Sequence, residues 1–239
     1  DGFYRPLARI GKPTPYEGVV MAIDPSGRGN DETGYAVVAQ LGGQLFVLDA
    51  GGIQGGFEPH VLERLAKTAK RFKVGKIIVE ENFGGGMFEA LLKPVLVAHY
   101  PCPVETIHHS VQKEKRICDT LEPLVSAHRV VIARSVFAQD WSSVRQYAPE
   151  DQTSYLLGHQ LSRVTREKGA LRHDDRLDAL AMAAAYWVKA ASLTAEGTMA
   201  RNSEERRQRE LERFLQHAVG YKPPSHTTFF DARPRLGAA

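Results

Sequence analysis

Cysteine is nearly absent. Cys102 and Cys118 are the only two in 239 residues, and neither belongs to a C-x-x-C pair. That argues against a disulfide framework or a structural zinc site and fits a reducing compartment. No apolar run approaches the roughly 18 residues that span a bilayer. The opening Asp1-Gly2-Phe3-Tyr4-Arg5-Pro6 has no signal-peptide core. A starting Met is missing as well, so the sequence reads as a piece of something longer. There is no internal repeat and no phosphate-binding loop of the G-x-x-x-x-G-K-S/T type. Neither sign of charge dominates: 31 Lys and Arg face 28 Asp and Glu, a net of +3 that permits nucleic acid as a partner without demanding it. With 43% hydrophobic and 25% charged residues, the chain is neither disordered nor collagen-like. Its length suits one large domain, or one domain plus a tail.

What is present is ordered by its periodicity. Residues 1–17 carry Pro6, Pro13 and Pro15 and read as an extended lead-in. Val19 to Ile23 is a buried-strand run ending at Asp24-Pro25. A glycine- and charge-rich loop, Ser26 to Thr33, leads to a second strand at Tyr35–Ala39. Gly42-Gly43 makes a two-residue hairpin turn into a third strand at Leu45–Leu48. The period then changes. Val61, Leu62, Leu65, Ala69 and Phe72 share one helical face, with Pro59 in the first turn. Strand Ile77–Val79, helix 87–99, strand Val104–Ile107, helix 113–127 and strand Val130–Ile132 follow. Residues 136–147 and 153–166 read as helical. In a strong final helix over 174–190, Leu177, Leu180, Ala181, Ala184 and Val188 line one face. A three-strand meander feeding a helix–strand alternation predicts an α/β fold with a mixed central sheet and helices on both faces. Residues 193–239 are a charged, partly disordered tail in which Arg201–Arg213 forms a short helix.

Acid residues recur at the ends of these elements. Asp24 follows an all-apolar strand, where the carboxyl edge of a sheet often carries a site. It also stands before Pro25, as a turn opener would. Glu80 and Glu81 end another strand, and adjacent strand residues point to opposite faces, so only one of them can share a site with Asp24. Asp174, Asp175 and Asp178 open the final helix. Capping explains one or two of them, and Asp178 shares a face with one of the others. Three acid clusters without clustered His or Cys suit a hard cation, Mg²⁺ or Mn²⁺, and two such ions can support phosphodiester cleavage. Lys113, Lys115 and Arg116 begin a helix after His108-His109 and can hold DNA phosphates or form a solvated face. Tyr147, Tyr155 and Trp141 read as packing residues, as do the two cysteines.

Particular strings carry a resemblance. Met21-Ala22-Ile23-Asp24-Pro25-Ser26, Val79-Glu80-Glu81-Asn82-Phe83-Gly84, Lys115-Arg116-Ile117 and His173-Asp174-Asp175-Arg176-Leu177-Asp178-Ala179-Leu180 resemble the C-terminal nuclease domain of the large terminase subunit (DNA maturase) of tailed bacteriophages. That family belongs to the ribonuclease-H-like superfamily. The similarity runs from about residue 18 to 190, and its last string is the most specific.

The resemblance implies an endonuclease that cuts concatemeric double-stranded phage DNA during packaging, with two Mg²⁺ or Mn²⁺ ions per site. Asp24 matches the family's first-strand Asp. Glu80 is the preferred match to its Glu-x-Asn string, with Glu81 as the alternative. The last-helix Asp is Asp174 or Asp175, preferably Asp175, with Asp178 as a nearby ligand or supporting carboxylate. Asn82 and Arg176 join Lys113, Lys115 and Arg116 as expected DNA contacts. The implied domains are a lead-in at 1–17 from an ATPase domain outside this sequence, a nuclease domain at 18–192 and a docking tail at 193–239. Implied partners are the portal protein and the small terminase subunit, in the host cytoplasm and transiently on the procapsid portal, with no membrane. A junction resolvase or transposase-like nuclease of the same fold, and a non-catalytic docking module, are the alternatives.

Overall fold

The run Val19 to Ile23 is apolar at every position, which suits a strand covered on both faces. In the computed structural model, which describes residues 14–26, 31–81 and 86–219, it forms β1, Gly18–Asp24. β2 (Glu32–Leu41) and β3 (Gln44–Gln54) complete the meander. The turn between them holds Gly42 and Gly43 at φ 58° and 76°. Two consecutive positive φ values define the tight hairpin that glycine favours. β4 (Lys76–Glu80), β5 (Val104–Ile107) and β6 (Val130–Ile132) follow. The sheet order is β5-β4-β1-β2-β3-β6. β4 pairs parallel with β1, β5 with β4 and β6 with β3, so β2 alone runs against the rest. The mixed α/β sheet expected from the sequence is therefore present.

The described residues also form six helices and a long seventh. α1 (Pro59–Phe72) starts with Pro59 in its first turn. α2 (Met87–His99), α3 (Lys113–Ser126) and α4 (Arg134–Ser143) come next. A 3-10 turn, Val144–Gln146, leads to the short α5 (Gln152–Tyr155) and α6 (Leu157–Arg163). α7 is Asp175–Val219. Sheet parity divides the core. Met21, Ile23, Val37, Ile77 and Val79 pack against α1 and α2. Val20, Ala22, Ala36, Val38 and Ile78 pack against α3, α4, α6 and the first turns of α7.

α7 joins the two helices expected at 174–190 and 201–213, because no proline lies between them and a single glycine, Gly197, costs only about 1 kcal/mol. The chain divides after Ala190 into two units, residues 1–190 and 191–239. Residues 1–13 of the expected lead-in and 220–239 of the expected tail lie outside the described residues. Val188, expected in the core, is 46% exposed, while Ala179, Met182 and Ala183 are buried. Small alanines let this helix lie flush on the sheet, so burial extends beyond one stripe.

Close approach fixes where α7 begins. Gly34 stands opposite Asp24 in the β1–β2 pair. A Cβ at Gly34 would lie 2.3 Å from the carbonyl oxygen of Asp175 and 2.9 Å from its Cβ. At the far end of the strand, Trp187 donates its indole N–H to the Val38 carbonyl at 3.1 Å and covers Gly18. The helix start is thus pressed onto the carboxyl end of β1. Gly34→Ala should push it away and cost about 1–3 kcal/mol. Urea unfolding of the purified protein measures this; an unchanged midpoint would contradict the contact.

Candidate active site

β1 and β4 are parallel neighbours, so their carboxyl ends lie side by side, about 4.8 Å apart. Asp24 follows Ala22 on the α3/α7 face, and Glu80 follows Ile78 on that same face. Asp178, one turn into α7, drops onto them. One carboxylate oxygen from each of Asp24, Glu80 and Asp178 lies within 4.8 Å of the other two. All three side chains are buried: Asp24 is 2% exposed, Glu80 5% and Asp178 0%. Glu81, the next residue, has the opposite strand parity; both it and Glu80 border a small cavity with Phe57, Val79 and Phe88.

The remaining acids of α7 stand at the rim. Asp175, preferred from the sequence for the central group, belongs to a second cluster with Asp31 and His173. Asp174 meets Lys113. Nζ of Lys113 lies 2.9 Å from Asp24, 2.8 Å from Asp174, 3.3 Å from Asp178 and 3.9 Å from Asp175. Arg116, one turn further along α3, spans Glu80 at 3.1 Å and Asp178 at 2.9 Å. His109 reaches Glu80 with Nδ1 at 3.0 Å. Lys113 and Arg116, expected at a DNA-facing surface, are instead inserted among the carboxylates. Lys115 is exposed on α3. Asn82 lies outside the described residues.

Arg176 requires a correction. It was expected to touch DNA, yet it is completely buried. Its guanidinium forks onto Glu32, with Nε to Oε1 at 2.6 Å and Nη2 to Oε2 at 2.8 Å. Nη1 donates to Asp140 at 2.6 Å and to the Ser143 hydroxyl at 2.8 Å. Tyr147 donates its hydroxyl to Glu32 at 2.8 Å. Tyr147 stacks on Tyr155 and Tyr155 on His173, at centroid distances of 3.9 and 3.8 Å. These bonds anchor the first turn of α7, and with it the neighbouring Asp175 and the facing Asp178. Tyr155 is buried as expected of a packing residue, but Trp141 is 59% exposed. Cys118 is buried, Cys102 is half-buried, and both are free thiols.

The electrostatics follow from five carboxylates facing two cations. Burial pushes Asp24 up to about 8, and Asp178 and Glu80 add to the rise while Lys113 opposes it. Asp175 is likewise pushed up to about 8, by burial and then by Asp24. Glu80 is raised by burial and by Asp178, against Arg116 and Lys113. Burial works against the charge of Lys113, but Asp24, Asp178, Asp174 and Asp175 outweigh it and raise its pKa. Two oxygens of the central group, Glu80 Oε2 and Asp178 Oδ1, are buried with no hydrogen-bond partner among the described residues. An all-oxygen donor set with excess negative charge and orphaned oxygens fits a hard divalent cation.

Known proteins share stretches of this sequence and its fold. Residues 23–130 match the family described as Terminase Bacteriophage T7, Ribonuclease H-like domain. The chain contains a terminase ribonuclease H-like domain. It is 47% identical over 164 residues to the terminase large subunit of Enterobacteria phage T3. That match covers 69% of this chain, which spans only 28% of the relative's length. Among solved structures, a human cytomegalovirus terminase nuclease domain, Mn-soaked and inhibitor-bound, shares the fold. Its TM-score is 0.50 at 14% identity, over 72% of this chain and 82% of that one. The gp2 large terminase nuclease domain of bacterial virus Sf6, a K428A mutant with manganese and beta-thujaplicinol, matches at TM-score 0.49 and 12% identity, over 71% of this chain and 88% of that one.

Asp31, Glu32, His109, Asp140 and His173 join the site region without having been singled out as members from the sequence. Asp31-Glu32 at the start of β2 carried the one available signal, acids entering a strand at the edge that holds Asp24.

Two outcomes follow. Arg176→Gln strands Glu32 and Asp140 in the interior and should destabilise the terminase domain by about 3–5 kcal/mol. Denaturant unfolding reads this directly. Stability should also depend on pH in chelator. The folded pKa values of Asp24 and Asp175, about 8, exceed the ordinary 3.8, so the folded state binds more protons between those limits. Stability is therefore greatest at the acid end of that window and falls as pH rises through 8. Melting temperatures at pH 5–8 should decline, with a shallower slope in Asp24→Asn; a rising profile would contradict the assignment.

Proposed function

We propose that this domain is a metal-dependent endonuclease that hydrolyses phosphodiester bonds of double-stranded DNA, acting on concatemeric phage DNA during genome packaging. The observation that carries the reading is the convergence of buried Asp24, Glu80 and Asp178 on one point, with excess negative charge and two orphaned oxygens. Asp24, Glu80 and Asp178 would hold one Mg²⁺ or Mn²⁺. Asp175, with Asp31 and His173 beside it, would hold a second. Ions held there supply an activated water and stabilise charge on the departing oxygen. The remaining work falls to the protein. Glu80 keeps its orientation through His109 and Arg116. Arg176 fixes the helix turn that carries Asp175 and Asp178. Lys113 and Arg116 balance the carboxylates and lie where a phosphate would approach, with Lys115 exposed nearby.

Within this reading, the full-length protein couples the domain to an ATPase domain, the portal protein and the small terminase subunit, acting in the host cytoplasm and transiently on the procapsid portal. The 47% identity to the T3 large subunit supports that setting.

Plasmid digestion with Mg²⁺ or Mn²⁺ tests the chemistry. Asp24→Asn and Glu80→Gln should each reduce cutting at least about a hundredfold, roughly 3 kcal/mol on the barrier. Glu81→Gln should change it less than about threefold. Cutting that persists in excess EDTA, or a Glu81→Gln variant as inactive as Glu80→Gln, would refute the proposal.

A further inference from the structure

At the free end of β3, beyond its pairing with β6, lies a polar cleft of about 830 Å³ between α1 on one face of the sheet and α4 on the other. One wall is α1. His60, Arg64, Lys67 and Arg71 recur every three or four residues, line the cleft and share one face of the helix. The other wall is neutral and hydrogen-bonding: Gln139 and Ser142 of α4, with Gln146 of the following turn. The floor is the end of β3, where Ala50, Gly51 and Gly52 present little side chain.

A β-bulge shapes this floor. The β2–β3 register slips between Val37 and Val38, so that Asp49 stands opposite Val37, on the α1 face. Bulges re-aim side chains in this way. Asp49 is 3% exposed, and its Oδ1 has no hydrogen-bond partner among the described residues. Burial raises its pKa, with Arg71 and Arg64 opposing the shift. Lys67 has an exposed pair, Glu63 at 2.9 Å, which contributes little.

We propose that this cleft is a second nucleic-acid site, one that seats an unpaired DNA strand beside the catalytic edge. The inference takes DNA as the substrate class from the proposed function. The stripe from His60 to Arg71 covers 11 residue steps, or roughly 16 Å of helix. That exceeds what one phosphate or one nucleotide would use and suits several successive phosphates of a strand. A free phosphate would also meet the Asp49 carboxylate, which repels it. A DNA strand brings phosphates for the cations and exocyclic amines for a carboxylate acceptor. Reaching a buried carboxylate requires an unpaired base. The floor lies near the acids as well: Gly52 pairs with Gly34, and Gly34 with Asp24, placing it two strands away, about 10 Å.

The test is fluorescence anisotropy with labelled oligo-dC and oligo-dT of about 15 nucleotides, in EDTA, so that neither cutting nor metal contributes. The triple variant Arg64→Gln, Lys67→Gln, Arg71→Gln should bind both at least about tenfold more weakly, with a salt slope reduced by about 2. A control removing the same charge elsewhere, Lys70→Gln, Lys93→Gln, Arg134→Gln, should keep most of the affinity. Adding charge to the facing wall with Gln139→Glu, Ser142→Glu and Gln146→Glu should reproduce the loss. Oligo-dC, which carries an amine, should bind more tightly than oligo-dT, and Asp49→Asn should remove the difference. Should Asp49→Asn fail to fold, the wild-type comparison of dC with dT decides that part. Binding by the triple variant within twofold of wild type, equal loss in the control, or equal affinity for dC and dT overturns the proposal. A wild-type protein that never cuts DNA, yet loses strand binding in the triple variant, would refute the nuclease reading and leave the cleft standing.

Discussion

The buried fork of Arg176 on Glu32 and Asp140 is the constraint on which the rest of the site depends. α7 must present Asp175 and Asp178 at the end of a sheet that already holds Asp24 and Glu80. Those carboxylates repel one another in a poorly solvated place, and nothing in their own chemistry would hold the helix there. Arg176, between the two aspartates in sequence, turns inward and bonds to the first residue of β2 and to α4. Glycine at position 34 lets the helix backbone come within contact distance of that strand. A buried ion pair of this kind costs desolvation and is weak evidence for stability. Its effect here is positional: without it, the acids would relax apart.

α3 solves the complementary problem. Lys113 and Arg116 are three residues apart, hence on one face, and that face is turned toward the acids. Together they balance only part of the negative charge. Burial is the main reason Asp24 and Asp175 hold their protons toward neutral pH, and repulsion from the neighbouring acids adds to it. A site that is incompletely neutralised by its own protein is one that binds a divalent ion and releases protons as it does so. Full neutralisation by a third basic residue would make a more stable domain and a poorer metal site.

Much of this was legible in the sequence, for reasons that can be named. Strands with apolar residues at every position and helices with a 3.6-residue stripe gave the alternation. Asp24 and Glu80 stood out because each ends such a strand. Period-two parity allowed only one of Glu80 and Glu81 beside Asp24, and β4 turns Glu80 to that face. The final helix was harder. Asp174, Asp175 and Asp178 all satisfy the rules for a first turn, and the choice among them depends on how the helix is rotated about its axis. That rotation is set by Arg176 and Gly34, whose partners lie far away in sequence. Arg176 itself was misread because a basic residue among aspartates looks solvated, and its partner Glu32 is 144 residues distant. Lys113 and Arg116 were recognised as charged groups near the chemistry, but periodicity does not say that they reach into the acid cluster.

The sheet therefore carries acids at the ends of β1 and β4 and cations beside the free end of β3, and the strand backbone explains how. Successive residues alternate faces, so the end of β1 and the end of β4 both deliver a carboxylate toward α3 and α7 while their neighbours deliver apolar groups toward α1 and α2. Along β3 the bulge interrupts that alternation and sends Asp49 to the α1 side. There the helix offers cations in place of acids. A polyanion drawn to Arg64, Lys67 and Arg71 at the free end of β3 is brought to within about two strand widths of the carboxylates without having to approach them first. The acid face can then remain negative enough to hold ions, because attraction of the substrate does not have to be built into it.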